Sequence, residues 1–288
     1  AKIEQVLKTA DEMGYVPSAA ALSLIGKSTR TIGIAVYDFN DPFFGTLIKE
    51  IQNQARTNGY SLVLTGFLNR TPDRNDLEPL HKHSLDGLIV IGTDTEAGWL
   101  EDFNKLPIAR IGHGGMDEKS TRISVDEESA AAKLISHLVD SGRREIVYLC
   151  ADLPAHRIRF EGLTKAAAKH SINIHCVFSL ERGAFAAGQE ATPRALESFP
   201  GVDALLCATD RVAMGALHAL HNQGVAAPGK IAVTGFDDVP AASEFIPPIT
   251  TIRQPVRKMV EQAFRAVMMD EAPGIVDFSG ELMIREST

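Results

Sequence analysis

The chain has 288 residues, of which 44% are hydrophobic, and a formal net charge of −8. This length suits two lobes of ordinary domain size, no apolar run approaches the ~20 residues of a membrane span, and the acidic balance argues against nucleic-acid binding by the bulk of the chain. The chain has three cysteines, a small and odd number that does not suit a disulfide framework, so we expect a reduced, cytoplasmic protein.

The first 17 residues stand apart as one amphipathic, charged helix that Gly14 ends. A helix this short cannot bury a core alone, and its charges do not fit a secretory signal. We therefore expect it to be the last part of a small domain. Residues 18–24 are a second short helix candidate, and Gly26–Thr29 follows as a linker.

A strand–loop–helix–strand unit then begins at residue 30. The apolar run Thr31–Val36 has the length of a buried strand, and a polar and aromatic loop follows it. Asp41-Pro42 is typical of a helix N-cap with proline at the first position, and Asn58-Gly59 ends the helix. Ligands of open α/β sheets bind at the carboxyl ends of the strands, so we expect the loop after the first strand to face a ligand.

The same alternation continues in two series, which predicts an α/β protein with two doubly wound parallel-sheet lobes and right-handed crossovers. Ile123–Asp126 is predicted to leave the first lobe. The tail reads as an extended Ile249–Ile252, a helix Pro255–Met269 and a last strand Val276–Ile284. The other strands are predicted at 32–36, 60–66, 87–91, 107–111, 145–150, 173–178, 203–207 and 230–234, and the helices near 42–57, 73–84, 96–105, 127–141, 157–170, 188–198 and 211–223.

Several short motifs occur in a fixed order, and their joint order and spacing are far more specific than any one of them. From Ala1 to about Ile284 the chain resembles the lactose-repressor/galactose-repressor family of bacterial transcription regulators. The motifs are Ile-Gly-Ile-Ala-Val followed by Asn40-Asp-Pro-Phe-Phe44, Leu85-Asp-Gly-Leu-Ile-Val90, Arg159-Phe-Glu-Gly162, Ala208-Thr-Asp210 with Gly215, Gly235-Phe-Asp-Asp238, and Thr250-Thr-Ile-Arg-Gln-Pro255.

The resemblance implies a periplasmic-binding-protein-like fold with three crossovers, near Val125, Thr251 and Ala272, where the strand–helix pattern also breaks. It divides the chain into four parts. Residues 1–17 are a remnant of the helix-turn-helix domain, and residues 18–31 are the hinge helix with its linker. The N-terminal lobe is formed by residues 32–125 with 252–271, and the C-terminal lobe by residues 126–251 with 272–288.

The hinge helix of this family orders on operator DNA, and a leucine inserts into the minor groove and bends the duplex. The matching leucine is Leu24, and we expect Ser18 and Ala21 to be further DNA contacts. Leu22 departs from the family, whose members commonly have a polar or basic residue there.

Two charged residues at predicted strand edges of the second lobe are candidates for ligand binding. In the family, the arginine matching Arg159 holds ligand oxygens, and its planar fork suits vicinal hydroxyls or a carboxylate; the alternative is a surface arginine. The aspartate matching Asp237 accepts hydrogen bonds from ligand hydroxyls; the alternative is a turn or cap residue. We favour the ligand role for both and assign Asp238 as the cap.

Other candidates come from two more strand edges. Thr209 and Asp210 close a strand of the second lobe, and Asp210 is equally a candidate N-cap. Tyr37, Asp38 and Phe44 come from the first loop, where a ring beside a carboxylate is a usual arrangement for a small ligand. Phe43 and Phe44 could also serve core or dimer packing.

Gly112 and His113 close the fourth predicted strand. Family members usually have an aspartate at the position of Gly112, so His113 is a candidate to replace it as a hydrogen-bond donor. The remaining histidines do not form the three-ligand pattern that a metal needs, and we expect no metal and no cofactor.

The leading hypothesis is a ligand-responsive repressor that binds a sugar, a sugar derivative or, as second choice, a nucleoside or base. Helices 43–57 and 73–84 would form a homodimer face, and ligand binding would change operator binding. One alternative is a periplasmic sugar-binding protein, which the helical N-terminus disfavours. The other is a Rossmann-type enzyme, but this sequence lacks the cofactor-binding fingerprint that such an enzyme needs.

Overall fold

The computed structural model describes residues 28–67, 70–92, 97–113, 119–179, 185–269 and 272–288, together with residues 5, 9 and 12–14. Ser18, Ala21 and Leu24, which we expect to contact DNA, lie outside the described residues. Within these ranges, no helix is both long enough and apolar enough to cross a membrane.

From residue 28 onward the described strands and helices alternate over most of the chain. The strands are β1 (Thr31–Val36), β2 (Ser61–Gly66), β3 (Gly87–Ile91), β4 (Ile108–Ile111), β5 (Ser120–Val125), β6 (Ile146–Ala151), β7 (Ile174–Ser179), β8 (Ala204–Cys207), β9 (Ala232–Thr234), β10 (Thr251–Arg253), β11 (Ile275–Phe278) and β12 (Glu281–Met283). The α-helices are α1 (Pro42–Asn58), α2 (Arg74–His81), α3 (Glu127–Asp140), α4 (Pro154–Lys169), α5 (Phe185–Ser198), α6 (Asp210–Asn222), α7 (Pro240–Glu244) and α8 (Val256–Met268).

The first lobe is built on a six-stranded parallel sheet in the order β2-β1-β3-β4-β5-β11. Its central strands are buried on both faces. Alternate side chains such as Ile34 and Ile89 pack with α1 and α8, while Ala35 and Val90 pack with α2 on the opposite face. This explains why these strands are continuous apolar runs rather than alternating ones.

The second lobe is built on a four-stranded parallel sheet in the order β7-β6-β8-β9. α3 and α4 cover one face, with Leu134 and Leu163 in their shared core. α5 and α6 pack closely on the other, where Gly188 and Gly215 allow their backbones to meet. The prediction of an α/β fold with two doubly wound lobes is confirmed.

The chain passes between the lobes at three places. The first passage lies between β5 and α3. β10 is bridged to the second lobe through Thr234 and Thr250, so the second passage follows Arg253. The third lies between β11 and β12, because β11 pairs with β5 in the first sheet and β12 pairs with β10.

This last passage differs from the expected lobe boundary near Ala272. The single predicted strand Val276–Ile284 is two strands, one in each lobe, separated by Ser279 and Gly280. A Cβ on Gly280 would lie 2.5 Å from Cγ2 of Ile252, so the glycine permits a close passage of the chain there. Ile123–Asp126, expected as a short segment leaving the lobe, is preceded by Ser120–Arg122, and Ser120–Val125 together form a full strand of the first sheet.

Most predicted helices agree with the structure, but α2, α4 and α5 differ at one end, α5 beginning at Phe185 instead of residue 188, and one predicted helix is of another type. α4 begins at Pro154, three residues before the predicted start, because proline fits the first helical position. Residues 97–103 form a 3-10 helix, and α2 ends at His81.

Candidate functional site

Five side chains come together where the strand ends of the second lobe meet the first lobe. We call His113, Glu127, Arg159, Asp210 and Asp237 the edge cluster. His113 follows β4, Asp210 follows β8 and Asp237 follows β9, so three of the five lie at carboxyl ends of parallel strands. Open α/β sheets bind ligands at this edge.

Arg159 lies on α4 and is only 6% exposed. Its Nε and Nη2 donate to the two carboxylate oxygens of Glu127 at 2.8 and 2.6 Å, and its Nη1 donates to the carbonyl oxygen of Ala208 at 2.5 Å. Its guanidinium carbon lies 3.3 Å from the ring centroid of Phe236, a cation–π contact. Arg159 is therefore a buried, fully oriented side chain, and the alternative of a surface arginine is excluded.

Glu127 is a site residue that the sequence did not reveal. It is the first residue of α3 and 5% exposed, and His113 Nε2 lies 3.0 Å from its Oε1. Burial by itself would raise the pKa of Glu127, but the charge of Arg159 and the hydrogen bonds from His113 and Arg159 outweigh it and lower the pKa to about 2. Glu127 is thus ionised, and it links the first lobe to Arg159.

Asp237 is buried between the strand edge and the second crossover. Gln254 Nε2 donates to its Oδ1 at 2.7 Å, and its φ of 110° lies in the left-handed region, a backbone conformation that costs energy for a residue other than glycine. Burial, followed by the charges of Asp210 and Asp41, raises the pKa of Asp237 well above its usual value, and Arg159 opposes this. Arg159 and Asp237 therefore act on each other in one region.

Asp210 is completely buried. Thr251 Oγ1 donates to its Oδ1 at 2.6 Å and the Val239 backbone N–H donates to its Oδ2 at 2.8 Å. Burial raises its pKa to about 7. The N-cap of α6 is Thr209, which accepts from the Val212 N–H; the alternative of Asp210 as N-cap is wrong, because the chain is still extended at Thr209.

The loop after β1 approaches the second lobe. Arg211 Nη1 donates to the carbonyl oxygen of Asn40 at 2.9 Å, across the two lobes. Asp38 accepts from the backbone and side chain of Asn40, and Asp41 caps α1 by accepting from the Phe43 N–H.

The aromatic residues of this loop differ in burial. Tyr37 and Phe43 are buried, and Phe43 belongs to the core. Phe44 is half-buried, and its ring lies against Gly92 at the end of β3, where a Cβ would come within 2.1 Å of Phe44 Cζ. Gly112, at φ 129°, lies beside Gly92 at the neighbouring strand end. Phe44 thus lies at the carboxyl ends of the strands of the first sheet, whereas Phe43 packs in the core.

Two surface cavities lie away from the edge cluster. One of about 960 Å³ lies between α2 and Trp99, and one of about 440 Å³ lies beside His218, His221 and Ile246. Neither includes a residue of the cluster. Within the described ranges, no three His, Cys, Asp or Glu side chains come together as a metal site.

The comparisons with known proteins agree with this architecture. Residues 135–288 match the family described as "Periplasmic binding protein-like domain". The chain is 30% identical to the HTH-type transcriptional repressor PurR of Mannheimia succiniciproducens over 99% of its own length and 89% of that protein. It is 31% identical to PurR of Haemophilus influenzae strain PittEE with the same coverage.

Solved structures show the same fold. A LacI transcriptional regulator from a Rhodococcus species superposes with a TM-score of 0.83 at 22% identity. The superposition covers 90% of this chain and 98% of the regulator's chain. The transcriptional regulator CelR, in its complex with cellobiose, superposes with a TM-score of 0.78 at 22% identity. The superposition covers 99% of this chain and 90% of the CelR chain.

Proposed function

The chain belongs to the lactose-repressor/galactose-repressor family, and from this we propose that a sugar or sugar derivative binds at the edge cluster and changes operator binding by a homodimer. At the coarser level the chain is a ligand-responsive transcriptional repressor and not an enzyme, since its relatives are transcriptional repressors over nearly its whole length. A role as a periplasmic transport component is not favoured by those relatives.

One observation carries the proposal: the acidic residues of the edge cluster are hydrogen-bonded to the opposite lobe, to the start of the second passage, or to the strand that leads into it. Glu127 pairs with His113 of the first lobe. Asp210 accepts from Thr251, and Asp237 accepts from Gln254. A ligand that changes the bonding of these carboxylates would shift the equilibrium between two lobe arrangements, which is the coupling that allostery requires.

The ligand would be held by hydrogen bonds and an aromatic ring. Arg159 and Asp237 supply a donor and an acceptor, His113 and Thr209 flank them, and Phe44 supplies a ring at the first-lobe edge. Tyr37 and Asp38 lie in the same loop. A hydroxyl-rich ring with one apolar face matches this set, and a nucleoside or base is the second choice.

The dimer and the DNA contacts belong to the same proposal. The outer faces of α1 and α2 would pair with a second copy, and Ser18, Ala21 and Leu24 would contact operator DNA in the cytoplasm. The link from the first lobe to that hinge is the linker at residues 28–30, which Asp86 holds through hydrogen bonds from Ser28, Thr29 and Arg30.

The test is a thermal-shift screen of the full-length protein against sugars, sugar derivatives, nucleosides and bases, because a ligand that binds the folded state raises its Tm. Each hit is then titrated into a fluorescence-anisotropy assay of operator binding. We expect a hit to change operator affinity, and Asp237→Asn to weaken the hit while size-exclusion chromatography still shows a dimer. Asp152→Asn, on the surface, is the matched control. A panel without hits, or hits that Asp237→Asn leaves unchanged, would contradict the assignment.

A further inference from the structure

The guanidinium of Arg159 is already paired with a carboxylate of the protein itself. Glu127 covers its Nε–Nη2 side with two hydrogen bonds, and Ala208 takes one N–H of Nη1. An arginine side chain has five N–H donors, so two remain, one on each Nη nitrogen. Arg159 can still donate to a ligand oxygen, but the charge-assisted pairing that would hold a carboxylate or phosphate is used.

The positive charge of Arg159 at these two donors is balanced within its own ion pair. Arg159 and Glu127 cancel, and both are at most 6% exposed, so solvent does little to screen them. Asp237, whose carboxyl is electrostatically coupled to Arg159, is neutral when protonated and adds a negative charge when ionised. An anionic ligand would therefore meet a guanidinium whose charge Glu127 already balances, beside a carboxyl that adds no positive charge.

Displacing Glu127 would not solve this problem for an anion. Glu127 would then be a buried carboxylate that has lost its arginine and keeps a single described side-chain partner, His113, and removing one member of a buried ion pair is costly. A hydroxyl or carbonyl oxygen needs only one of the two remaining N–H groups and leaves the pair intact.

We infer that Glu127 sets the charge preference of the site, so that the cluster accepts an uncharged polar ligand and rejects ligands that present a carboxylate or phosphate to Arg159. This inference rests on the proposed function, since it concerns the ligand class of the same site. It makes Glu127 a specificity-determining residue, although it belongs to none of the motifs that carry the family resemblance.

The direct test uses inorganic phosphate as the probe, at constant ionic strength set with chloride, and isothermal titration calorimetry as the readout. We expect the full-length wild-type protein to show no phosphate binding that depends on Arg159. Glu127→Gln, which removes the charge and keeps the shape, should bind phosphate at least about tenfold more tightly than the wild type, and Glu127→Gln/Arg159→Met should lose this gain.

Glu128 provides a matched control. It is the next residue on the same helix, and it pairs with Lys165 on the surface at side-chain exposures of 71% and 66%. Glu128→Gln makes the same change in net charge outside the cluster, so it should behave as the wild type. A phosphate gain in Glu128→Gln equal to that in Glu127→Gln would overturn the inference.

A second measurement needs no variant. Wild-type protein is screened by thermal shift with pairs of probes that differ by one charge, such as galactose with galacturonate and ribose with ribose 5-phosphate. The inference predicts that the uncharged member stabilises at lower concentration in every pair that binds. A stronger effect of the anionic member, or phosphate binding by the wild type that depends on Arg159, overturns the inference. A metabolite panel without hits contradicts the proposed function instead, and the phosphate titration then decides whether Glu127 sets the charge preference.

Discussion

Asp210 and Thr251, 41 residues apart, are joined by a 2.6 Å hydrogen bond between the start of α6 and β10, the strand that leads into the second passage between the lobes. The carboxyl is completely buried and its pKa is raised to about 7 by burial. The folded protein therefore binds this proton at pH values where the unfolded chain has already lost it. Between about pH 3.8 and pH 7, the contribution of Asp210 to stability falls as the pH rises.

Asp210→Asn should remove this pH-dependent loss. The asparagine oxygen can accept from the Val239 N–H, and its amide can donate to the hydroxyl of Thr251, which rotates. We expect the free energy of unfolding of the variant, measured with urea, to rise relative to that of the wild type between pH 5 and pH 8. The expected gain is about 3 kcal/mol, because about two pH units of the window lie between pH 5 and the folded-state pKa of about 7. Asp152→Asn, a change of a surface carboxylate, should follow the wild-type pH profile. Parallel profiles for Asp210→Asn and wild type would refute the buried, protonated Asp210.

The pair of Arg159 and Glu127 predicts strong coupling in a double-mutant cycle. Arg159→Met leaves Glu127 as a buried carboxylate without its arginine and should cost about 3–5 kcal/mol of unfolding free energy. Glu127→Gln removes the charge that makes this costly, so the double variant should be less destabilised than the sum of the two single variants. Chemical denaturation of the four proteins measures the cycle. Additive effects would show that the two side chains do not stabilise each other.

The sequence was a good guide to the fold and a partial guide to the site, for physical reasons. Arg159 and Asp237 could be chosen because their positions relative to strand ends follow from local patterns. Glu127 could not, because an acidic residue in the first turn of a helix is commonplace near the dipole, and its role depends on a partner 32 residues away.

The lobe boundary near Ala272 shows the same limit. The sequence predicts one strand over residues 276–284, but it shows neither the division into β11 and β12 nor the partners of the two strands. β11 pairs with β5, and the hydrogen bond from Ser124 to Asp277 joins residues 153 positions apart. The local pattern therefore indicates extended structure here, whereas long-range pairing decides where the strand divides and to which lobe each part belongs.

The contact between α5 and α6 predicts a large effect of one methyl group. A Cβ at Gly215 would lie 2.0 Å from the carbonyl oxygen of Phe185, and this obstacle is backbone. Gly215→Ala should therefore push the helices apart and lower the unfolding free energy by about 1–3 kcal/mol. Gly98→Ala is the matched control: it lies exposed in the 3-10 helix at residues 97–103 with no atom within 4 Å of the added Cβ, so it should be close to neutral. A Gly215→Ala protein as stable as Gly98→Ala would contradict this helix contact.

Asp86 predicts how the first lobe holds the linker to the hinge. Its carboxylate accepts from Ser28 Oγ at 2.5 Å and from the backbone N–H groups of Thr29 and Arg30 at 3.0 and 2.7 Å. Burial would raise the pKa of Asp86, but these hydrogen bonds outweigh it and lower the pKa, so the carboxylate is the favoured form.

Asp86→Ala should free the linker without unfolding the lobe, because the lost contacts lie near the surface and β1 keeps its two parallel neighbours. We expect faster amide exchange at residues 29 and 30, a stability loss of about 1 kcal/mol, and weaker operator binding by the full-length protein with unchanged metabolite affinity. Asp140→Ala, an exposed change on α3, is the control for loss of a negative charge. Unchanged operator affinity in Asp86→Ala, together with faster amide exchange at residues 29 and 30, would contradict this prediction. The contacts of Asp86 with the linker would then not contribute to operator binding.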